Sequence, residues 1–120
     1  MSDINWNELS PAQLDIYLNQ QLHPGCALYN VGGPMVVRSA LDVEAFVRAH
    51  ADFICRHDAL NLRFAECDGV PMQCIAPAAT GLPLLDLSAD PAPERAAHAW
   101  TERLLATPFN LSKGHAHRAA

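Results

Sequence analysis

A chain of 120 residues, half of them hydrophobic, with a formal net charge of −5 and a pI near 5.5, has the composition of one small globular domain or part of a larger one. With 8 Lys and Arg against 13 Asp and Glu there is no basic stripe to track a phosphate backbone, which argues against nucleic acid as a partner. No apolar run approaches the roughly 18 residues needed to cross a bilayer, and Met1-Ser2-Asp3-Ile4-Asn5 carries neither a basic nor an apolar leader region, so no membrane association and a cytoplasmic compartment are expected.

In chain order, Leu9-Ser10-Pro11-Ala12-Gln13-Leu14 reads as a helix start. Ser10 caps, Pro11 fits the first helical position, Gln13 completes a Ser-x-x-Gln capping box, and Leu9 and Leu14 are placed for a hydrophobic staple. Leu14, Tyr17, Leu18, Gln21 and Leu22 then share one face, and His23-Pro24-Gly25 stops the helix. Cys26 to Ser39 reads as extended, with Met35-Val36-Val37 as a short strand behind the interruption Gly32-Gly33-Pro34. No helix start or lysine follows the glycine pair, which excludes a phosphate loop.

Asp42 is placed to cap a second helix running to about Arg56, with Val43, Phe46, Val47, His50, Phe53 and Ile54 on its apolar face. The pattern then changes to strand alternation: Asn61 to Glu66 and Val70 to Ile75 flank Cys67-Asp68-Gly69, a strong hairpin signal. Pro71 in the second arm predicts an edge position or a bulge. Leu82 to Leu87 reads as another short strand. Asp90-Pro91 opens a third helix with Ala97, Trp100, Leu104 and Leu105 inward and His98 outward, and Pro108-Phe109-Asn110-Leu111 ends it.

Helix, strand, helix, hairpin, strand, helix predicts an α/β or α+β two-layer fold, with helices packed on a mixed sheet. None of Cys26, Cys55, Cys67 and Cys74 has metal-site or redox spacing, and Cys55 and Cys74 read as small core residues. His115-Ala116-His117 near the chain end offers two ligands at most, so no metal site is expected. The most distinctive chemistry is Arg56-His57-Asp58, at the point where helical spacing gives way to strand spacing. A helix C-terminus, with its unpaired carbonyls, favours Arg56 and His57 on electrostatic grounds alone.

Arg56-His57-Asp58-Ala59-Leu60-x-x-Arg63-Phe64 also resembles the second core motif of condensation domains from nonribosomal peptide synthetases, Arg-His-Glu-x-Leu-Arg-Thr-x-Phe. Ser10-Pro11-Ala12-Gln13 with Tyr17 looks like the first family motif. Tyr29-Asn30, Leu41-Asp42, Asp68 to Gln73, Leu85 to Ser88 and Pro108 to Leu111 are similar to further family phrases in the same order. The resemblance implies the N-terminal lobe, incomplete, of a fold similar to chloramphenicol acetyltransferase. It divides the chain into an N-terminal tail (1–8), a partial condensation domain (9–114) and a C-terminal tail (115–120).

The same resemblance implies a part in joining carrier-bound aminoacyl or peptidyl thioesters by amide formation, in nonribosomal peptide biosynthesis of, for example, a siderophore-like kind. No cofactor would be bound directly; phosphopantetheine would be presented by peptidyl or acyl carrier proteins. The other implied partner is the remaining half of the condensation domain. Ser10, Gln13, Tyr17, Arg56, His57, Asn61, Arg63 and Phe64 occupy family motif positions with structural or tunnel-supporting roles, and none is expected to be catalytic. Two departures stand out: the family motif His-His-x-x-x-Asp-Gly does not occur in this chain, and Asn61 stands where arginine is usual. Alternation puts Arg63 on the same face as Asn61, where it could compensate. Two other readings stay open, a non-catalytic module that binds a carrier protein or a complementary lobe, and an unrelated small α/β domain.

Overall fold

The computed structural model describes residues 4–120; the first three, part of the expected tail and leaderless start, lie outside the described residues. Its elements are strand β1 (Asn7–Glu8), helix α1 (Pro11–Leu22), helix α2 (Val43–Arg56), a 3₁₀ turn (Asp58–Asn61), strands β2 (Leu62–Cys67) and β3 (Val70–Ile75), and helix α3 (Pro93–Ala106). Helices beside a small sheet give the expected α/β class. The strand order is β1-β3-β2, and both pairings are antiparallel, so the parallel neighbour that would make the sheet mixed is not among the described residues.

Local chemistry explains the helix starts. The Ser10 side chain accepts from the Gln13 N–H at 3.3 Å while the Gln13 side chain accepts from the Ser10 N–H at 2.8 Å, the reciprocal box expected. Asp42 caps α2 by accepting from the Ala45 N–H at 2.9 Å. Helix α3 begins three residues later than Asp90. Asp90 instead accepts from the Ala92 N–H at 2.8 Å, and Pro93 forces Ala92 out of helical geometry, so Pro93 becomes the first turn.

The hairpin closes through Asp68 and Gly69, with φ of 51° and 81°, the two positive dihedrals of a type I′ turn. Pro71 lies on the central strand rather than an edge, and the register explains why it is tolerated. Cys67 pairs with Val70 and Glu66 with Pro71, so alternation turns the proline nitrogen away from β2. On that other side β1 extends only to Glu8, opposite Met72, and no ladder bond is lost.

Neither Met35–Val37 nor Leu82–Leu87 forms a strand. Met35–Val37 is exposed throughout and Leu84 is 77% exposed, and neither segment pairs with a strand, without which β-branched sequence gains nothing from an extended form. The core is thin. Tyr17, Ile54 and Cys74 are its most buried members at 3% exposure, joined by Leu111. Cys55, expected inside, is exposed. On α1 the buried side is Tyr17 and Gln20, whereas Leu18, Gln21 and Leu22 face outward; Gln20 is held because it donates to the Cys26 carbonyl at 2.9 Å. The Tyr17 ring meets Phe64 of β2 at 6.0 Å between centroids, which seats α1 against the hairpin.

The accessible surface is 8971 Å², against about 6,300 Å² for a folded monomer of this mass. The radius of gyration is 16.9 Å, against about 13.6 Å for a compact chain of this length. Val43, Phe46 and Phe53, on the apolar face of α2, are among the exposed side chains responsible.

Candidate functional site

The residues singled out in the sequence fall into two groups joined by the hairpin. The first gathers at the start of α1. The Gln13 amide donates to Gln73 Oε1 at 2.9 Å, and Gln73 returns the bond to Gln13 Oε1 at 3.0 Å. Gln13 Oε1 thus serves both the capping box and β3, while Gln73 Nε2 also reaches the Glu8 carbonyl at 3.0 Å. One reciprocal amide pair ties the first motif, β1 and the central strand together. Tyr17, one turn further along, supplies the contact with Phe64.

The second group sits where α2 passes into β2. Arg56 is exposed and meets Asp52, one turn earlier, at 3.6 Å, an exposed pair of the sort that contributes a few tenths of a kcal/mol. His57 folds back onto the last turn of α2. Its Nδ1 lies 2.7 Å from the Phe53 carbonyl, which makes that nitrogen the donor, and its ring lies over Phe53 at 4.1 Å. That is the helix-end role electrostatics favours for both residues.

Asn61 does not share a face with Arg63. It closes the 3₁₀ turn and is buried, whereas Arg63 on β2 is exposed, because strand alternation begins only at Leu62. Asn61 Nδ2 donates to the carbonyls of Ile54 at 2.7 Å and His57 at 3.0 Å, and its Oδ1 accepts from the Ala78 N–H at 2.9 Å. Its backbone carbonyl accepts from the Ala76 N–H at 2.8 Å. A single neutral amide therefore joins the end of α2, the 3₁₀ turn and the exit of β3. A guanidinium could not accept from Ala78, so Arg63 is not a substitute for what Asn61 does.

Sequence reading misses several polar anchors. Asn30 donates to the carbonyls of Leu105 and Thr107, at 2.8 and 2.9 Å, capping the C-terminus of α3 from a distance of 75 residues along the chain. Arg118 caps the same end through Leu104 and Thr107 and lies 4.3 Å above the Phe109 ring. Tyr29-Asn30 stands out as a family phrase, but only the fold shows what the amide holds.

Nothing in these groups makes a nucleophile and base. No set of three or more His, Cys, Asp or Glu among the described residues could hold a metal ion, and no described helix is long and apolar enough to cross a membrane. Two shallow depressions stand out among the described residues. One of about 310 Å³ is lined by Gln20, Gln21, Pro24, Phe109 and Asn110 among others, and one of about 210 Å³ by Asn7, Leu62, Gln73, Cys74 and Ile75. Neither contains Arg56, His57 or Asn61.

The family model for the condensation domain matches residues 5–120. The chain belongs to the condensation-domain family. It is 36% identical over 109 residues to a linear gramicidin synthase of Brevibacillus parabrevis, covering 88% of this chain and 2% of that protein. It is 34% identical over 114 residues to an isonitrile lipopeptide synthase of Streptomyces coeruleorubidus, covering 90% of this chain and 8% of that one. Among solved structures it is similar to the starter condensation domain of rhizomide synthetase, with a TM-score of 0.86 and 34% identity over 92% of this chain and 27% of that chain. The first condensation domain of the calcium-dependent antibiotic synthetase, solved with a substrate analogue, gives a TM-score of 0.78 at 30% identity, over 92% of this chain and 27% of that chain. The fold is thus that of the N-terminal lobe, in part, and the chain spans about a quarter of those solved domains.

Proposed function

We propose that this chain is a scaffold portion of a condensation domain of a nonribosomal peptide synthetase, without catalytic activity of its own. In the whole domain the amine of a carrier-bound acceptor attacks the thioester carbonyl of a carrier-bound donor; the C–N bond forms, the C–S bond breaks, and the amine proton passes to the departing thiolate. Most of that rate enhancement would come from holding two tethered reactants together, with assistance to proton transfer. Residues 9–114 would contribute lobe structure and part of the wall on the acceptor side. Ser10, Gln13 and Tyr17 fix α1, and Arg56, His57, Asn61, Arg63 and Phe64 fix the passage from α2 to β2. The phosphopantetheine arms would arrive on peptidyl or acyl carrier proteins, in the cytoplasm.

The observation that carries this reading is the use to which the second motif is put. Arg56, His57 and Asn61 are all engaged with backbone or neighbours of α2, and none lines either of the two depressions described above. The test mixes the purified chain with loaded donor and acceptor carrier proteins. No amide product is expected from it alone, and amide above the carrier-only background would refute the proposal.

The exposed apolar face of α2 favours a further role, binding the complementary part of the domain. Calorimetric titration with that part should give saturable binding, and titration with a carrier protein followed by NMR separates it from carrier recognition.

A further inference from the structure

We propose that residues 34–38 are a β-strand without its neighbours, and that they pair with a strand of the complementary part of a condensation domain, which thus docks through backbone as well as on the apolar face of α2. The proposal rests on the reading of that face given above. The segment is set in place by α3. Asn30 donates to the Leu105 and Thr107 carbonyls at the end of α3, a Cβ on Gly32 would come within 3.1 Å of Leu105 Cδ2, and Arg38 meets Glu94, in the first turn of α3, at 3.8 Å. The segment therefore runs antiparallel along the helix, and no turn or bend interrupts it from Val31 to Arg38. The lengths agree with extended backbone: Asn30 to Arg38 as a strand covers about 26 Å, and the α3 axis from Glu94 to Thr107 about 20 Å.

The side chains follow strand alternation. Gly32 and Arg38, the two positions that meet α3, have the same parity. Val31, Met35 and Val37 take the other face and are 98%, 75% and 46% exposed. Val36, on the α3 side, is itself 69% exposed, so the apolar run Met35-Val36-Val37 is uncovered on both faces. A run apolar on both faces is the pattern of a strand inside a sheet rather than at its rim. Among the described residues no backbone hydrogen bond joins residues 34–38 to another segment. The N–H groups of Met35 and Val37 point to one edge and those of Val36 and Arg38 to the other, ready for a ladder on either side.

Two observations select the occupant. The segment leads directly into Leu41, Val43 and Phe46, exposed at the start of α2, so strand and helix face form one continuous surface. The chain also keeps the backbone of a solved condensation domain over 92% of its own length while spanning 27% of that domain, and the rest of such a domain is where a neighbouring strand would come from. A second copy fits less well. A two-fold contact through one strand uses a single edge and leaves the other bare, and it brings together two chains of net charge −5. Pairing by strand addition draws its affinity from backbone bonds, with the alternate side chains setting register.

The test is amide hydrogen exchange on the full chain, alone and in complex with the solved starter condensation domain lacking the part that this chain matches; should that piece not fold by itself, the two are co-expressed and copurified. In the complex, exchange should slow by about tenfold or more at Met35 and Val37, at Val36 and Arg38, or at all four, the alternating pattern of a ladder. Proline removes the N–H, so Val36→Pro or Val37→Pro should weaken the complex by about tenfold, whereas Val36→Ile, which keeps it, should not. Neither proline breaks a bond within this chain, and unchanged β2 and β3 amides confirm that each variant folds. A complex that forms with residues 35–38 still exchanging freely, or that tolerates both prolines, overturns the strand and leaves the α2 surface standing. Failure to form any complex overturns both. Protection of these amides in the chain alone as its concentration rises assigns the strand to a second copy, and also overturns the proposal.

Discussion

Replacing Asn61 by alanine tests how far the passage from α2 to β2 depends on one side chain. The substitution removes two donations, to the Ile54 and His57 carbonyls, and one acceptance, from the Ala78 N–H. The two carbonyls are not stranded. Ile54 still receives the His57 N–H at 3.3 Å and His57 the Leu60 N–H at 2.9 Å, so each loses a second bond. Ala78 is left with no acceptor in a partly buried loop. Taking about 0.5–1 kcal/mol for each carbonyl bond and about 1–2 kcal/mol for the stranded N–H gives a loss of about 2–4 kcal/mol. For 120 residues that is a fall in Tm of roughly 8–16 °C.

Asn61→Asp sharpens the test. Its carboxylate keeps the Ala78 bond but faces two carbonyl oxygens in a buried site, so it should be worse than alanine at pH 7. Its folded pKa is then raised, the folded state binds the proton more readily, and stability should recover as pH falls. Asn61→Arg restores the residue usual at this motif position, yet it offers Ala78 no acceptor and should destabilise as well. Urea unfolding of the four proteins, at pH 7 and pH 5, decides the matter. If Asn61→Ala and Asn61→Arg unfold within about 0.5 kcal/mol of wild type, Asn61 is a spectator and the reasoning fails.

Gln13→Ala should cost about 1–2 kcal/mol by urea unfolding, since it removes half the capping box and the bridge to Gln73, whereas Gln13→Glu keeps both acceptances but sets a carboxylate oxygen against Gln73 Oε1 and should recover only part of the loss. The Asp86 carboxylate is held below the ordinary 3.8 by the backbone N–H and then the hydroxyl of Ser88; its turn is supported above 3.8 and released as pH falls through the lower value, and Ser88→Ala should move the carboxyl NMR midpoint upward. The isolated chain should self-associate, with a weight-average mass that climbs with concentration in sedimentation. A clean monomer with a sharp cooperative melt would contradict an uncovered apolar face on α2.

The parts of the fold that local chemistry determines can be read from the sequence. The capping box at Ser10, the Asp42 cap and the Asp68-Gly69 turn each depend on residues within a few positions of one another. The parts that depend on distant partners cannot. Val36 and Leu84 have strand-like neighbourhoods and no strand to meet. Cys55 lies on a helix whose periodicity is amphipathic, but what covers a helix is decided elsewhere in the molecule, and here it is open. For the candidate site the positions are legible and their partners are not. Alternation reads Asn61 as a strand residue facing with Arg63, because a four-residue 3₁₀ turn breaks the alternation without leaving a glycine or proline to mark it.

The end and the length of α2 show how the family's motif phrases divide their work in this chain. At its C-terminus every motif residue is satisfied from within: Arg56 by Asp52, His57 by the Phe53 carbonyl, Asn61 by three backbone groups. Such a joint needs no outside partner to hold its geometry. Along its length the opposite holds, since Val43, Phe46 and Phe53 stand exposed and the molecule carries roughly 2,600 Å² more surface than its mass predicts. At about 25 cal/mol per Å², covering even a third of that excess as apolar area is worth on the order of 20 kcal/mol before ordering costs, which exceeds the whole stability of an ordinary domain. The orientation of α2 relative to the sheet is therefore fixed locally, and on the scaffold role proposed above the driving force that makes the lobe a stable body would come from surface supplied by the rest of a condensation domain.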